Sequence, residues 1–89
     1  MIVQHGKLYF KELQKITDTS ILSRVREAEA KLKEASSLKD VTNVKPMKGR
    51  PGYYRIKFSD FRIGFKLQIG GVITLLSIGH RSSFYRSFP

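Results

Sequence analysis

Arg55, Lys57 and Arg62 lie within fifteen residues, "YYRIKFSDFRIGFKL" at 53–67, and Arg81 and Tyr85 follow four apart in "GHRSSFYRSF" at 79–88. Guanidinium and ammonium groups with a phenol, and only Asp60 for an acid, have the parts for one metal-free reaction. RNA is cut without metal when its own 2′-OH attacks the adjacent phosphate, a base removes the proton and cations stabilise the charge on the phosphorane. Tyr85 is a candidate proton acceptor. A phenol with its ordinary pKa of about 10 is a poor base at neutral pH, but neighbouring cations favour its ionised form. Lys57 has the same difficulty and the same remedy. Each residue also has a plainer reading: Arg55 and Lys57 as exposed strand cations, Tyr85 as a packing residue near the end of the sequence. His80 is by type more often a hydrogen-bonded strand-end histidine than a catalyst, so it is a weak candidate.

Other chemistries find fewer parts. A metal-dependent nuclease needs clustered carboxylates for its hard cations, and the second half of the chain offers only Asp60, in a turn. Zinc has no cysteine here and only His5 and His80, which show no ligand spacing. No nucleophile elbow marks a Ser-His-Asp hydrolase, and "GRPG" lacks the length and the Lys-Ser/Thr ending of a phosphate loop. The expectation is a site with no metal and no cofactor.

The elements that must hold these residues can be read from periodicity. Tyr54, Ile56 and Phe58 share one face of a strand, with Tyr53, Arg55 and Lys57 on the other. Ser59 and Asp60 suit a tight turn, after which Phe61, Ile63, Phe65 and Leu67 alternate with Arg62, Gly64 and Lys66. The pattern predicts a hairpin with one apolar and one basic face. A third strand follows the Gly70-Gly71 pair, a two-residue hairpin signal. Upstream, "MIVQ" reads as a short strand. "KLYFKELQKI" at 7–16 reads as a helix carrying Tyr9, Leu13 and Ile16. A second helix, capped by "DTS" at 18–20, has Ile21, Val25, Ala28, Leu32 and Ala35 as its apolar stripe. Its Arg24, Arg26, Glu27 and Glu29 face reads as solvated. "KPMKGRPG" at 45–52, with two prolines and two glycines, reads as a loop.

With 89 residues the chain is expected to form one domain, 1–89, with one modest core; chains of this size bury roughly 60 to 70% of their unfolded surface. No cysteine is present, and the longest apolar run, "VITLLSIG" at 72–79, is too short to span a bilayer. A soluble, unprocessed protein of a reducing cytoplasm, with no membrane partner, is expected. The net charge of +10 is unevenly placed: residues 1–44 carry +2 and residues 45–89 carry +8, with nine basic side chains against Asp60 alone. Such a field attracts polyanions, nucleic acid above all, although an acidic protein partner would also neutralise it. Lys45, Lys48, Arg50, Lys66 and Arg86 are accordingly candidates for contacts with an RNA backbone.

"MKGRPGYYRIKFSDFRIGFKL" and "SIGHRSSFYRSF" together resemble the RelE/ParE superfamily of bacterial and archaeal type II toxins. The shared pattern is a glycine-containing loop, a Y-x-R-I-K-like strand, an aspartate turn with an arginine two residues later and a G-H-R-x-x-x-Y ending. It covers residues 46–86 strongly, while the helical half agrees only in layout. The resemblance is closest to the RelE branch, ribosome-dependent messenger-RNA endonucleases. It implies an α+β, RelE-like (microbial RNase-like) fold: an N-terminal strand and two-helix hairpin packed on a C-terminal antiparallel meander, with a four-stranded sheet. It implies mRNA on the ribosome as substrate, a small acidic antitoxin that wraps a toxin monomeric when free, and Arg55, Lys57, Arg62, Arg81 and Tyr85 as catalytic residues. Arg55 stands where some RelE-like enzymes have lysine; a guanidinium is a much poorer proton acceptor, so its part is charge stabilisation. With four residues after Tyr85, a C-terminal helix of the kind an antitoxin displaces is expected to be absent or vestigial. The alternatives are a ParE-like inhibitor of DNA gyrase with no active site of its own, and a non-catalytic nucleic-acid-binding relative.

Overall fold

The computed structural model describes residues 1–88, apart from the side chain of Ser87. Strand β1 (Ile2–His5) leads into helices α1 (Lys7–Gln14) and α2 (Thr19–Glu34) and a 3-10 turn at Leu38–Asp40. Strands β2 (Val44–Pro46), β3 (Tyr53–Phe58), β4 (Phe61–Gln68) and β5 (Val72–His80) follow, and helix α3 (Arg81–Ser87) closes the order. One sheet runs β1-β5-β4-β3-β2, parallel between β1 and β5 and antiparallel elsewhere. The expected α+β layout of strand, two helices and meander is present.

Three features depart from the sequence reading. The sheet has five strands rather than four, because Val44–Pro46 pairs with Tyr54–Ile56. Pro46 sits in an edge strand, the place in a sheet that tolerates a residue without an N–H. The β4–β5 connection takes three residues, Ile69 to Gly71, with both glycines at positive φ, instead of two. Finally, Arg81–Ser87 form a two-turn helix where an absent or vestigial C-terminal helix was expected.

The apolar faces predicted for β3 and β4 do form the core: Ile56, Phe58, Ile63 and Phe65 are buried with Tyr9, Val25 and Leu32 from the helices. On β5 the buried apolar residues are Ile73, Leu75 and then Ile78, a spacing that regular alternation forbids. A bulge resolves it. Gly64 pairs with Ser77 and Phe65 with Leu75, so Leu76 is extra and the strand changes phase beside it.

Asp18 caps α2 by accepting from the amides of Ser20 and Ile21. Carboxylates then fasten the helices to the sheet and to each other. Glu12 of α1 accepts from the Ser77 hydroxyl at 2.9 Å and the Ile78 amide at 3.1 Å, satisfying a stretch of β5 that β1 is too short to reach. Glu29 of α2 accepts from the Tyr9 hydroxyl at 2.7 Å and meets His5 Nε2 at 2.8 Å. Its predicted solvated face is therefore wrong at Glu29, which is half-buried and ties α2 to α1 and β1. Burial first, then the hydrogen bond to Glu29 and its charge, push the Tyr9 phenol well above its ordinary range.

Candidate functional site

Strand register decides which cations meet. Lys57 is directly opposite Arg62, and Arg62 is opposite Gly79, so these three form a row across β3, β4 and β5. The next row on the same face is Lys45, Arg55, Gly64 and Ser77. A third pairs Tyr53 with Lys66, whose ammonium lies 5.6 Å from the Tyr53 ring centroid. Sorting of the cations to the face opposite the core is thus as the parity predicts. That face is not open, however, because α3 lies across it on β4 and β5.

The glycines of the two rows are where the helix comes down. A methyl group at position 64 would lie 2.5 Å from Phe88 Cε1, so only glycine accepts that ring. At Gly79 the same construction approaches Ser83 Oγ at 3.8 Å. Phe84 and Phe88 are buried against the sheet, with ring centroids 5.0 Å apart, and Tyr53 meets Phe88 edge-on at 6.2 Å. Between them in sequence, Tyr85 is turned outward and is 49% exposed. Arg81 is exposed on the first turn of the same helix. Their spacing of four puts both on one side of α3.

His80 caps this helix: its Nδ1 accepts the Ser82 amide at 3.1 Å and lies 2.8 Å from the Ser82 hydroxyl. With Nδ1 accepting, the proton of the neutral ring sits on Nε2. The Ser59-Asp60 turn is the second fixed point. Arg81 N–H donates to the Asp60 carbonyl at 2.7 Å, and its Nε lies 3.6 Å from the Asp60 carboxylate in a solvent-exposed pair.

Arg62 belongs to the basic face by direction but is only 7% exposed. Its Nη1 donates to the carbonyls of Ser59 and Phe61, and its Nε is buried with no hydrogen-bond partner among the described residues. It therefore supports the turn from beneath rather than presenting its charge to solvent. Arg55 is half-buried and donates to the Asn43 carbonyl at 3.3 Å, while Lys57 is exposed. Lys57, Arg62 and Arg81 gather around one turn, with Arg55 one pleat away and Tyr85 one helical turn away.

The backbone-binding candidates spread out from there. Lys45 is exposed on β2 opposite Arg55, and Arg86 is exposed on α3. Lys48 and Arg50 are exposed in the β2–β3 loop, beyond the Tyr53 end of β3. At about 3.3 Å per strand residue that is some 17 Å from the Phe58 end, so they do not join the group around the turn. Sequence reasoning missed the roles of Phe84, Phe88 and Gly64. The available signal was a glycine inside an otherwise continuous strand pattern, which marks close approach by another part of the chain.

Residues 7–85 match the family model described as the ParE toxin of type II toxin-antitoxin system, parDE. The chain belongs to the RelE/ParE superfamily of type II toxins. It is 31% identical over 90 residues, the full length of both chains, to toxin RelE3 of Methanocaldococcus jannaschii. The superfamily match extends to structure. RelE in the crystal structure of a RelB-RelE antitoxin-toxin complex from Methanococcus jannaschii superposes with a TM-score of 0.80 at 28% identity, covering 97% of this chain and 99% of that one. The RelE of an archaeal RelE-RelB complex from Pyrococcus horikoshii gives 0.72 at 22% identity, over 90% and 93% of the two chains, and supports the fold.

Proposed function

We propose that this toxin is an endoribonuclease that cuts messenger RNA in the ribosomal A site without a catalytic metal, and so blocks translation. The observation that supports this most is the shared face: Lys57 and Arg62 as cross-strand partners, Arg55 beside them, and α3 carrying Arg81 and Tyr85 over the same side of the sheet. On this reading the 2′-OH attacks the adjacent phosphorus, a 2′-O–P bond forms and the P–O5′ bond breaks. Tyr85 accepts the 2′ proton, the Lys57 ammonium supplies one to the departing 5′-oxygen, and Arg81 and Arg55 stabilise the extra charge on the phosphorane. Arg62 adds positive potential from below and holds the turn on which Arg81 rests. Lys45, Lys48, Arg50, Lys66 and Arg86 hold the RNA backbone on either side.

A small acidic antitoxin is the proposed protein partner. Solved relatives are toxin-antitoxin complexes, and the +10 charge is complementary to an acidic chain. The free toxin is proposed to be a cytoplasmic monomer, where ribosomes are its target.

The ParE name of the matching family model favours a second reading, inhibition of gyrase through protein contacts alone. A gyrase binder has no need of Arg55, Lys57, Arg62, Arg81 and Tyr85 together, which supports cleavage instead. Primer extension on translated and untranslated copies of one message, after expression of the toxin, separates the two. The expected result is in-frame cuts on the translated copy only. Continued protein synthesis with arrested replication and gyrase-linked DNA breaks would support the gyrase reading.

A further inference from the structure

The seat of Phe88 on Gly64 has no part in the proposed chemistry, yet it leaves no room for even a methyl group on the strand beneath the ring. Gly64 stands between Arg55 on β3 and Ser77 on β5, and a methyl there would meet three ring carbons of Phe88 at 2.5 to 2.6 Å. Phe88 is only 5% exposed, stacks against Phe84 and closes the helix with its amide on the Phe84 carbonyl at 3.1 Å. At its other end α3 is held by the His80 cap and the Arg81–Asp60 backbone bond. Two anchored ends fix how a two-turn helix rolls, and roll decides where the outward residues point. We propose that Phe88, seated on Gly64, is a positioning residue that sets the roll of α3 and aims Tyr85 at the 2′-OH.

The inference rests on the cleavage reading for its functional part, and its structural part can be measured separately. Gly64→Ala displaces the ring, which swings out more easily than the strand moves. Phe88→Ala removes the ring without adding bulk to the sheet. In both variants hydrogen exchange at the α3 amides should quicken while that of β4 and β5 stays at the parent rate. Unchanged α3 exchange would overturn the proposal whatever the protein cleaves.

Single-turnover cleavage on saturating programmed ribosomes reads the second part. A displacement of about 1 Å in a reacting group costs on the order of a hundredfold, so Phe88→Ala should be ten- to a hundredfold slow, with ribosome affinity unchanged and partial recovery in Phe88→Leu. The decisive comparison is Tyr85→Phe made in both backgrounds. It should slow the parent strongly and Phe88→Ala by less than about threefold, because a misaimed hydroxyl has little left to lose. Lys57→Ala, on β3, should cost the same in each. A parent-like Phe88→Ala rate, or an equal Tyr85→Phe cost in both backgrounds, would overturn the positioning role while leaving the cleavage reading intact. If Tyr85→Phe and Arg81→Ala both leave the parent rate unchanged, the cleavage site is wrong and the functional part of this inference falls with it.

Discussion

Arg81 and Arg62 carry the same guanidinium in opposite settings, and the difference separates chemistry from support. Arg81 is exposed, and its pairing with Asp60 is long and solvated, the kind of ion pair that adds little to stability. Replacing it with alanine should therefore leave the urea midpoint near that of the parent while lowering single-turnover cleavage by about 10²- to 10³-fold, the range for one contact to a developing anion. Tyr85→Phe keeps the ring on Phe84 and deletes only the hydroxyl, so a folded, fully active variant would make this tyrosine a packing residue and pass the role of base to Lys57. The direction in which Arg62 points was legible from parity along β4. Its burial was not, since parity gives a side chain's direction and says nothing of what packs over the strand.

Helices α1 and α2 and strand β1 are joined by one carboxylate, Glu29, which holds the Tyr9 hydroxyl and His5. The Tyr9 phenol is held neutral by that environment, its folded pKa raised above the ordinary value of about 10. The stabilisation is fully present below the unfolded pKa and is lost as pH rises past about 10, where the unfolded chain ionises and the folded one resists. Urea midpoints measured from pH 8 to 11 should fall above pH 10, and Tyr9→Phe should flatten that fall; equal slopes in both proteins would show that Tyr9 does not govern it. Helical periodicity and the Asp18 cap made both helices readable in advance. Strand β2 was hidden because Pro46 reads as loop composition although an edge strand accepts it. The β5 bulge was hidden because "VITLLSIG" is apolar throughout and gives no parity to slip against. Helix α3 was misjudged because its stability comes from burial of Phe84 and Phe88, the latter seated on Gly64 of the sheet, a tertiary effect that a seven-residue segment does not announce by itself.

Across the whole molecule, the charge division read from sequence becomes a geometric one. The +8 half supplies β2 to β5 and α3, and its cations run from Arg81 at one end of β3 to Arg50 at the other. A surface of this kind should bind ribosomes with an affinity that falls steeply as salt rises, because each neutralised phosphate releases counterions. Double replacement of Lys48 and Arg50 should reduce the slope of log affinity against log salt with a smaller effect on the saturated cleavage rate; an unchanged slope would remove the loop from the RNA footprint. The fold class was legible over residues 46–86 because the motif spacings there coincide with strand ends and turns. The most direct test of the central claim uses purified toxin, one message and ribosomes programmed with a defined A-site codon, with the product ends identified. The account predicts a single cut within that codon, leaving a 2′,3′-cyclic phosphate and a 5′-hydroxyl, and no cut in the same message without ribosomes. Intact message on saturated ribosomes, or equal cutting of naked RNA, would contradict it.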